Sequence, residues 1–170
     1  YDCIHFEVND GVGRITFNLP RFGNALTLKG VQETLDALFA CEMRDDVGAV
    51  LLTGAGKAFC SGFNLKEIPL GRSDNDEISA HFQVLAMWWH QVLHKIIRIK
   101  RPVLVAVNGV AAGSGLGMAI CADMVVCHEN ARFLGAWHTI GLANDATTSY
   151  ALAKIVGFRR AMELLMTNRT

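Results

Sequence analysis

An excess of charge of either sign is missing from this sequence. Its 170 residues hold 16 Lys plus Arg against 16 Asp plus Glu, a formal net charge of +0 at pH 7. A chain so balanced has no basic field to hold nucleic acid and no acidic tail. Long apolar runs are missing too. The longest, near 118–127, is interrupted by Asp123 and falls well short of the ~20 residues that span a bilayer. The five cysteines (Cys3, Cys41, Cys60, Cys121, Cys127) are odd in number and lack the spacing of a metal site. Most sit in apolar stretches, so buried free thiols in a reducing cytoplasm are expected. No signal peptide, internal repeat or low-complexity segment is evident. The chain begins at Tyr1 without methionine and stops at Thr170 just past an apolar helical run; a piece of a longer protein is the expectation.

Hydrophobic residues, by contrast, are plentiful at 51%, enough for a sizeable core in about one domain. Alternating apolar and polar residues at 4–8 and 13–17, around Asn9-Asp10-Gly11, predict a hairpin. Residues 18–24, with Pro20 and Gly23, form a loop. Val31, Leu35, Leu38 and Phe39 mark a helix over 28–41. The run 48–53 is a buried parallel strand, 54–62 a loop of small residues, and 69–77 a polar, mobile segment. A long helix over 78–100 carries Phe82, Leu85, Trp89, Leu93 and Ile96 on one stripe. A strand at 103–107, a helix at 115–122, a strand at 124–127 and helices at 146–155 and 159–166 follow. Strands alternating with helices make an α/β domain.

Three segments carry chemistry. The run Trp137-His138-Thr139-Ile140-Gly141-Leu142-Ala143-Asn144-Asp145 sets one carboxylate near an indole. Trp88-Trp89-His90 sets one imidazole on a helix. The loop from Asn108 to Gly117 sets backbone N–H groups at a helix start. A nucleophile, a base and an oxyanion site are what an acyl-activated substitution requires. Gly113-Ser114-Gly115-Leu116-Gly117 lacks the G-x-G-x-x-G spacing of a dinucleotide loop, and Gly54-Ala55-Gly56-Lys57 lacks the Walker spacing. Glycines there let a ligand carbonyl approach the backbone, with the Ser114 N–H and the helix dipole aimed at it. Plainer readings stand beside these. Asp145 precedes a helical run and could be an ordinary N-cap. His90 could be a structural histidine; with His94 it makes an i, i+4 pair, but no third ligand is evident, so no metal is expected. Trp88 and Trp89 point in different directions on one helix, and Trp89, which continues the stripe, is assigned to the pocket.

The segments Val103 to Gly109, the Ala/Gly loop with Ala122-Asp123, and Ala58-Phe59-Cys60-Ser61-Gly62-Phe63-Asn64-Leu65 resemble the crotonase (enoyl-CoA hydratase/isomerase) family. Pro20, Asn24-Ala25-Leu26 and Leu52-Thr53-Gly54 agree. The resemblance covers essentially the whole chain. It implies a spiral of ββα units, incomplete at the C-terminus, so that residues 1–170 form the family's N-terminal core domain without its trimerising helices. It also implies an acyl-CoA substrate, no cofactor beyond the CoA carried by that substrate, a cytoplasmic homotrimer, and an oxyanion hole from the N–H groups of Phe63 and Ser114. Gly113 and Gly115 would border the substrate and Lys66 could meet a CoA phosphate, though a solvated surface lysine is an equal reading.

The family's hydratases use two glutamates, at the positions of Gly117 and Trp137 here; neither carboxylate exists in this sequence. What remains is Asp145 with His90. Trp88-Trp89-His90, Ala136 to Gly141, Asn144-Asp145, Arg159 to Glu163 and Thr167 to Thr170 resemble the family's hydrolytic aryl-CoA dehalogenases. That resemblance implies conversion of 4-chlorobenzoyl-CoA to 4-hydroxybenzoyl-CoA and chloride. Asp145 would attack the ring, His90 would activate water, and the Trp137 N–H would hold the carboxylate. Phe63, Phe82, Trp89 and Trp137 would box the ring. Departures are Ser114 where glycine is usual, Asn64, and Gly23 where a CoA-binding arginine stands. A dienoyl-CoA isomerase, which also places an aspartate at position 145, and an inactive acyl-CoA-binding fragment are the alternatives.

Overall fold

Asp10 and Gly11 both take positive φ, 49° and 78°, the twist that a two-residue hairpin turn requires. In this computed structural model, which describes residues 1–67 and 75–170, they join β1 (Ile4–Asn9) to β2 (Val12–Phe17) as an antiparallel pair. Helix α1 (Leu28–Met43) follows, opened by Thr27, whose hydroxyl accepts the Gly30 N–H at 2.9 Å. The chain then repeats one unit. Strands β3 (Ala49–Gly54) and β4 (Ala58–Cys60) lead to α2 (Asn75–Arg98). Strands β5 (Val103–Val107) and β6 (Val110–Ala112) lead to α3 (Ser114–Cys121). Strands β7 (Met124–Cys127) and β8 (Arg132–Leu134) lead through a 3₁₀ turn, Trp137–Ile140, to α4 (Thr148–Val156) and α5 (Phe158–Thr167).

The first strand of each unit joins one sheet, of order β1-β2-β3-β5-β7, parallel from β2 onward. The second strand of each joins a smaller parallel sheet, β4-β6-β8. This is the expected α/β architecture of ββα units. Ile15, Leu52, Val105, Phe59 and Ala111 fill the core with Val31, Leu38, Trp89 and Val92 from the helices, all at most 1% exposed. Each of the Val, Leu, Ile and Phe side chains among them is worth about 1.5–3 kcal/mol of burial.

The sequence reading leaves out β4, β6 and β8. Each is three residues long, too short for alternation to register, and each exists because the next turn of the spiral pairs with it. Helix α2 begins at residue 75, not 78; residues 69–74 of the segment expected to be mobile lie outside the described residues. Helix α4 begins at Thr148, not at 146. The cysteines are free, but only Cys41 and Cys60 are buried. Cys127 is exposed because β7 is the last strand of its sheet.

Candidate active site

Four segments converge on a cavity of about 430 Å³. The turn after β4 brings Gly62, Phe63 and Leu65, and α2 brings Phe82 and Ala86. The start of α3 brings Gly113 and Ser114, and the stretch from Ala136 to Asp145 closes the far side.

At one end the working groups are backbone amides. Leu26 and Phe63 form a parallel bridge: the Leu26 N–H donates to the Gly62 carbonyl at 2.8 Å, and the Asn64 N–H donates to the Leu26 carbonyl at 2.9 Å. In such a bridge the central residue's own N–H turns the other way, so Phe63 keeps its donor for the cavity side. Ser114 is the first residue of α3, where amides have no intrahelical acceptor. Helix α3 can begin here because position 115 is glycine. A Cβ there would lie 2.9 Å from the Cys60 Cβ and 3.0 Å from its carbonyl carbon. Among the described residues neither the Phe63 nor the Ser114 amide has a hydrogen-bond partner. Behind them, burial pushes the Cys60 thiol up to about 12, which leaves it an inert packing group.

At the other end the working groups are side chains, Asp145 on the cavity wall and His90 outside the lining, reached through Asp145. His90, on α2, places Nε2 3.1 Å from Asp145 Oδ1 and 3.2 Å from Oδ2. The two are 52% and 51% exposed. A polar contact that open to water contributes only about 0–1 kcal/mol to stability, so its stabilising value is a poor explanation for it. Asp145 is not the N-cap of α4. That position belongs to Thr147, which makes no side-chain cap. The backbone carbonyl of Asp145 is what the helix start holds, accepting from the Thr148 N–H at 3.1 Å and from the Thr148 hydroxyl. The carboxylate is thereby free for His90. The next two residues, Ala146 and Thr147, are left-handed with φ of 53° and 68°. Neither is glycine, and each such residue costs about 1–3 kcal/mol that its surroundings must offset.

The remaining expected residues separate. Phe63, Phe82 and Trp137 line the cavity, and Trp137 is seated there by the left-handed Ala136 (φ 67°) before it. The assignment of Trp89 to the cavity wall is corrected. It is 1% exposed and lies beneath Phe63, edge-on at 6.0 Å between ring centroids, so it supports the wall from behind. Among the described residues the Asp145 carboxylate takes its hydrogen bond from His90 and none from the Trp137 indole. Gly113 borders the cavity, whereas Gly115 is buried against β4. Lys66 is exposed, 5.9 Å over the Phe22 ring, beside the cavity-lining Leu65. Sequence reasoning gave no role to Ala86, Ile140, Leu142 and Ala143, which also line the cavity; small or apolar residues carry no chemical signal of their own.

The sequence model of the enoyl-CoA hydratase/isomerase family matches residues 7–170. The chain is 48% identical over 167 residues to a protein of an Arthrobacter species named 4-chlorobenzoyl coenzyme A dehalogenase-2, covering 98% of this chain and 60% of that one. It is 30% identical over 163 residues to the 1,2-epoxyphenylacetyl-CoA isomerase of Escherichia coli, covering 94% of this chain and 60% of the relative. Among solved structures, the enoyl-CoA hydratase of Polaromonas sp. JS666 superimposes with a TM-score of 0.88 at 32% identity, over 98% of this chain and 63% of that one. The chain thus spans about 60% of the length of the curated relatives it matches.

Proposed function

We propose that this chain, which belongs to the enoyl-CoA hydratase/isomerase family, forms the catalytic core of a hydrolytic 4-chlorobenzoyl-CoA dehalogenase. The observation that carries the reading is the His90–Asp145 pair, 3.1 Å apart, whose carboxylate member lines the same cavity as Phe63 and Ser114. The likeness to the Arthrobacter dehalogenase supports it.

The chemistry follows from where charge must go. A nucleophile adding to an aryl chloride leaves negative charge on the ring. A thioester para to the chlorine takes up that charge if its oxygen is hydrogen-bonded. Two amide donors, with the α3 dipole behind one of them, supply that stabilisation where the charge develops. An Asp145 oxygen then bonds to the ring carbon and chloride departs with its electron pair, leaving an aryl ester of the enzyme. Water adds to the Asp145 ester carbonyl while His90 takes its proton; the acyl–oxygen bond breaks and 4-hydroxybenzoyl-CoA is released. The sum is substrate plus water to hydroxyaryl thioester, chloride and a proton.

The pairing also times the base. While Asp145 is ionised, Nε2 must carry a proton to bond to it. Once Asp145 is esterified its oxygens accept weakly, and the imidazole in its other tautomer is released to accept from water. Phe63, Phe82 and Trp137 orient the ring and thin out water. Coenzyme A belongs to the substrate, Lys66 stands where a CoA phosphate could be met, and no separate cofactor is required. The protein is proposed to work as a cytoplasmic homotrimer, a reading supported by the family resemblance.

The test is to supply 4-chlorobenzoyl-CoA and follow chloride and the hydroxyaryl product. An isomerase, which would need a carboxylate where Trp137 stands, would release no chloride. An inactive acyl-CoA binder would bind the thioester unchanged.

A further inference from the structure

We infer that Gly117, which has no side chain to offer the reaction, is a positioning residue for Asp145; the inference rests on the reading of Asp145 as nucleophile. Gly117 is buried in α3. A Cβ on it would lie 2.5 Å from the Ala146 Cβ and 2.9 Å from the Ala146 carbonyl carbon. The obstructing atoms are mostly backbone of the residue next to Asp145, which cannot swing aside as a flexible side-chain tip can. Ala146 is 1% exposed, pressed onto the space the missing side chain leaves. The Thr147 hydroxyl donates to the Gly117 carbonyl at 3.3 Å and ties the same turn to the helix.

The left-handed pair Ala146-Thr147 is what swings the chain so that the Asp145 carboxylate meets His90. Two such residues persist only where contacts hold them, and the Gly117 face supplies those contacts. Gly117 also belongs to the first turn of α3: its N–H donates to the Gly113 carbonyl at 3.1 Å, and Ser114 lies within that turn. One rigid turn therefore carries the polarising donor on one side and the seat of the nucleophile on the other. It sets the distance between the thioester oxygen and the attacking carboxylate.

The test reads the placement of Asp145 without substrate. With ring-nitrogen-labelled histidine, NMR resonances of His90 should move in Gly117→Ala toward their positions in Asp145→Asn. They should move less in Thr147→Gly, and not at all in Ser149→Ala on the exposed face of α4. Circular dichroism identifies a folded variant. If Gly117→Ala does not fold, Thr147→Gly carries the test, because glycine suits its backbone and only the tie to Gly117 is lost. Single-turnover arylation by 4-chlorobenzoyl-CoA should fall on the order of 10²-fold in Gly117→Ala, the scale of a misplacement near 1 Å. Binding of unreactive benzoyl-CoA should stay as in the unaltered protein. Unmoved His90 signals in folded Gly117→Ala, or in Thr147→Gly where the first variant does not fold, or undiminished arylation in folded Gly117→Ala, overturn the inference. If the unaltered protein releases no chloride, the functional reading fails while the His90 signals still decide the positioning claim.

Discussion

The two ends of the cavity are built from different material. The end that would polarise a thioester uses main-chain amides of Phe63 and Ser114, fixed by a β-bridge and by the start of a helix. The end that would react uses two half-exposed side chains, His90 and Asp145, one of them beside a strained turn. Backbone donors survive most substitutions at their own positions, and Ser114 still offers its amide. Side chains do not survive substitution, and a family can change its reaction by changing them alone. Activation is thus general and rigid, whereas the choice of chemistry is local and replaceable.

That contrast can be broken from either side. The largest effect is expected for Asp145→Asn, which keeps shape and removes the nucleophile. Arylation in a rapid-quench single turnover should drop at least about 10⁴-fold. His90→Gln should leave arylation near its normal rate and slow turnover by roughly 10²–10⁴-fold. Aryl enzyme should then accumulate in the intact-protein mass spectrum; normal turnover would remove His90 from the base role. At the backbone end, Ser114→Pro deletes the N–H at a helix position that tolerates proline and should cost about 10²–10³-fold in arylation. Ser114→Ala keeps the amide and should stay within a few-fold of the unaltered rate. Equal losses in both would mean that the hydroxyl does the work.

The smallest effect tests whether structure away from the cavity matters to the chemistry. Lys95 on α2 pairs with Glu42 on α1 and lies 3.8 Å from the Phe39 ring centroid. The bond to Lys95 holds the Glu42 carboxyl below the usual carboxylate range. A carboxyl with a lowered folded value stabilises above its unfolded value, ~4.3, and loses that contribution as pH falls through the folded value. Glu42→Gln should therefore lower the melting temperature at neutral pH and leave arylation intact. The difference from the unaltered protein should shrink as the solution is acidified.

The hairpin, α1 and α2 were legible in the sequence because each is long enough for its period to show, and β3 and β5 because each is an unbroken apolar run. The three strands of the small sheet were not, since residues inside glycine-rich loops become strands only when the next turn of the spiral pairs with them. His90 and Asp145 stand 55 residues apart, and no spacing rule joins them; the resemblance to a family suggested the pair, and the fold brings them into contact. Local reasoning alone favoured a helix cap for Asp145. It could not see that Ala146 and Thr147, neither a typical left-handed residue, would turn the chain and release the carboxylate. Trp89 followed the stripe of α2 correctly, but the stripe leads into the core, and Phe63 covers it.

The most direct test of the account is one turnover of excess enzyme with 4-chlorobenzoyl-CoA in water carrying heavy oxygen, followed by mass spectrometry of the product and of the peptide that contains Asp145. Attack by Asp145 on the ring predicts an unlabelled hydroxyl in this first product and label in the peptide. A labelled hydroxyl with an unlabelled peptide would mean that water itself displaced chloride, and would contradict the account.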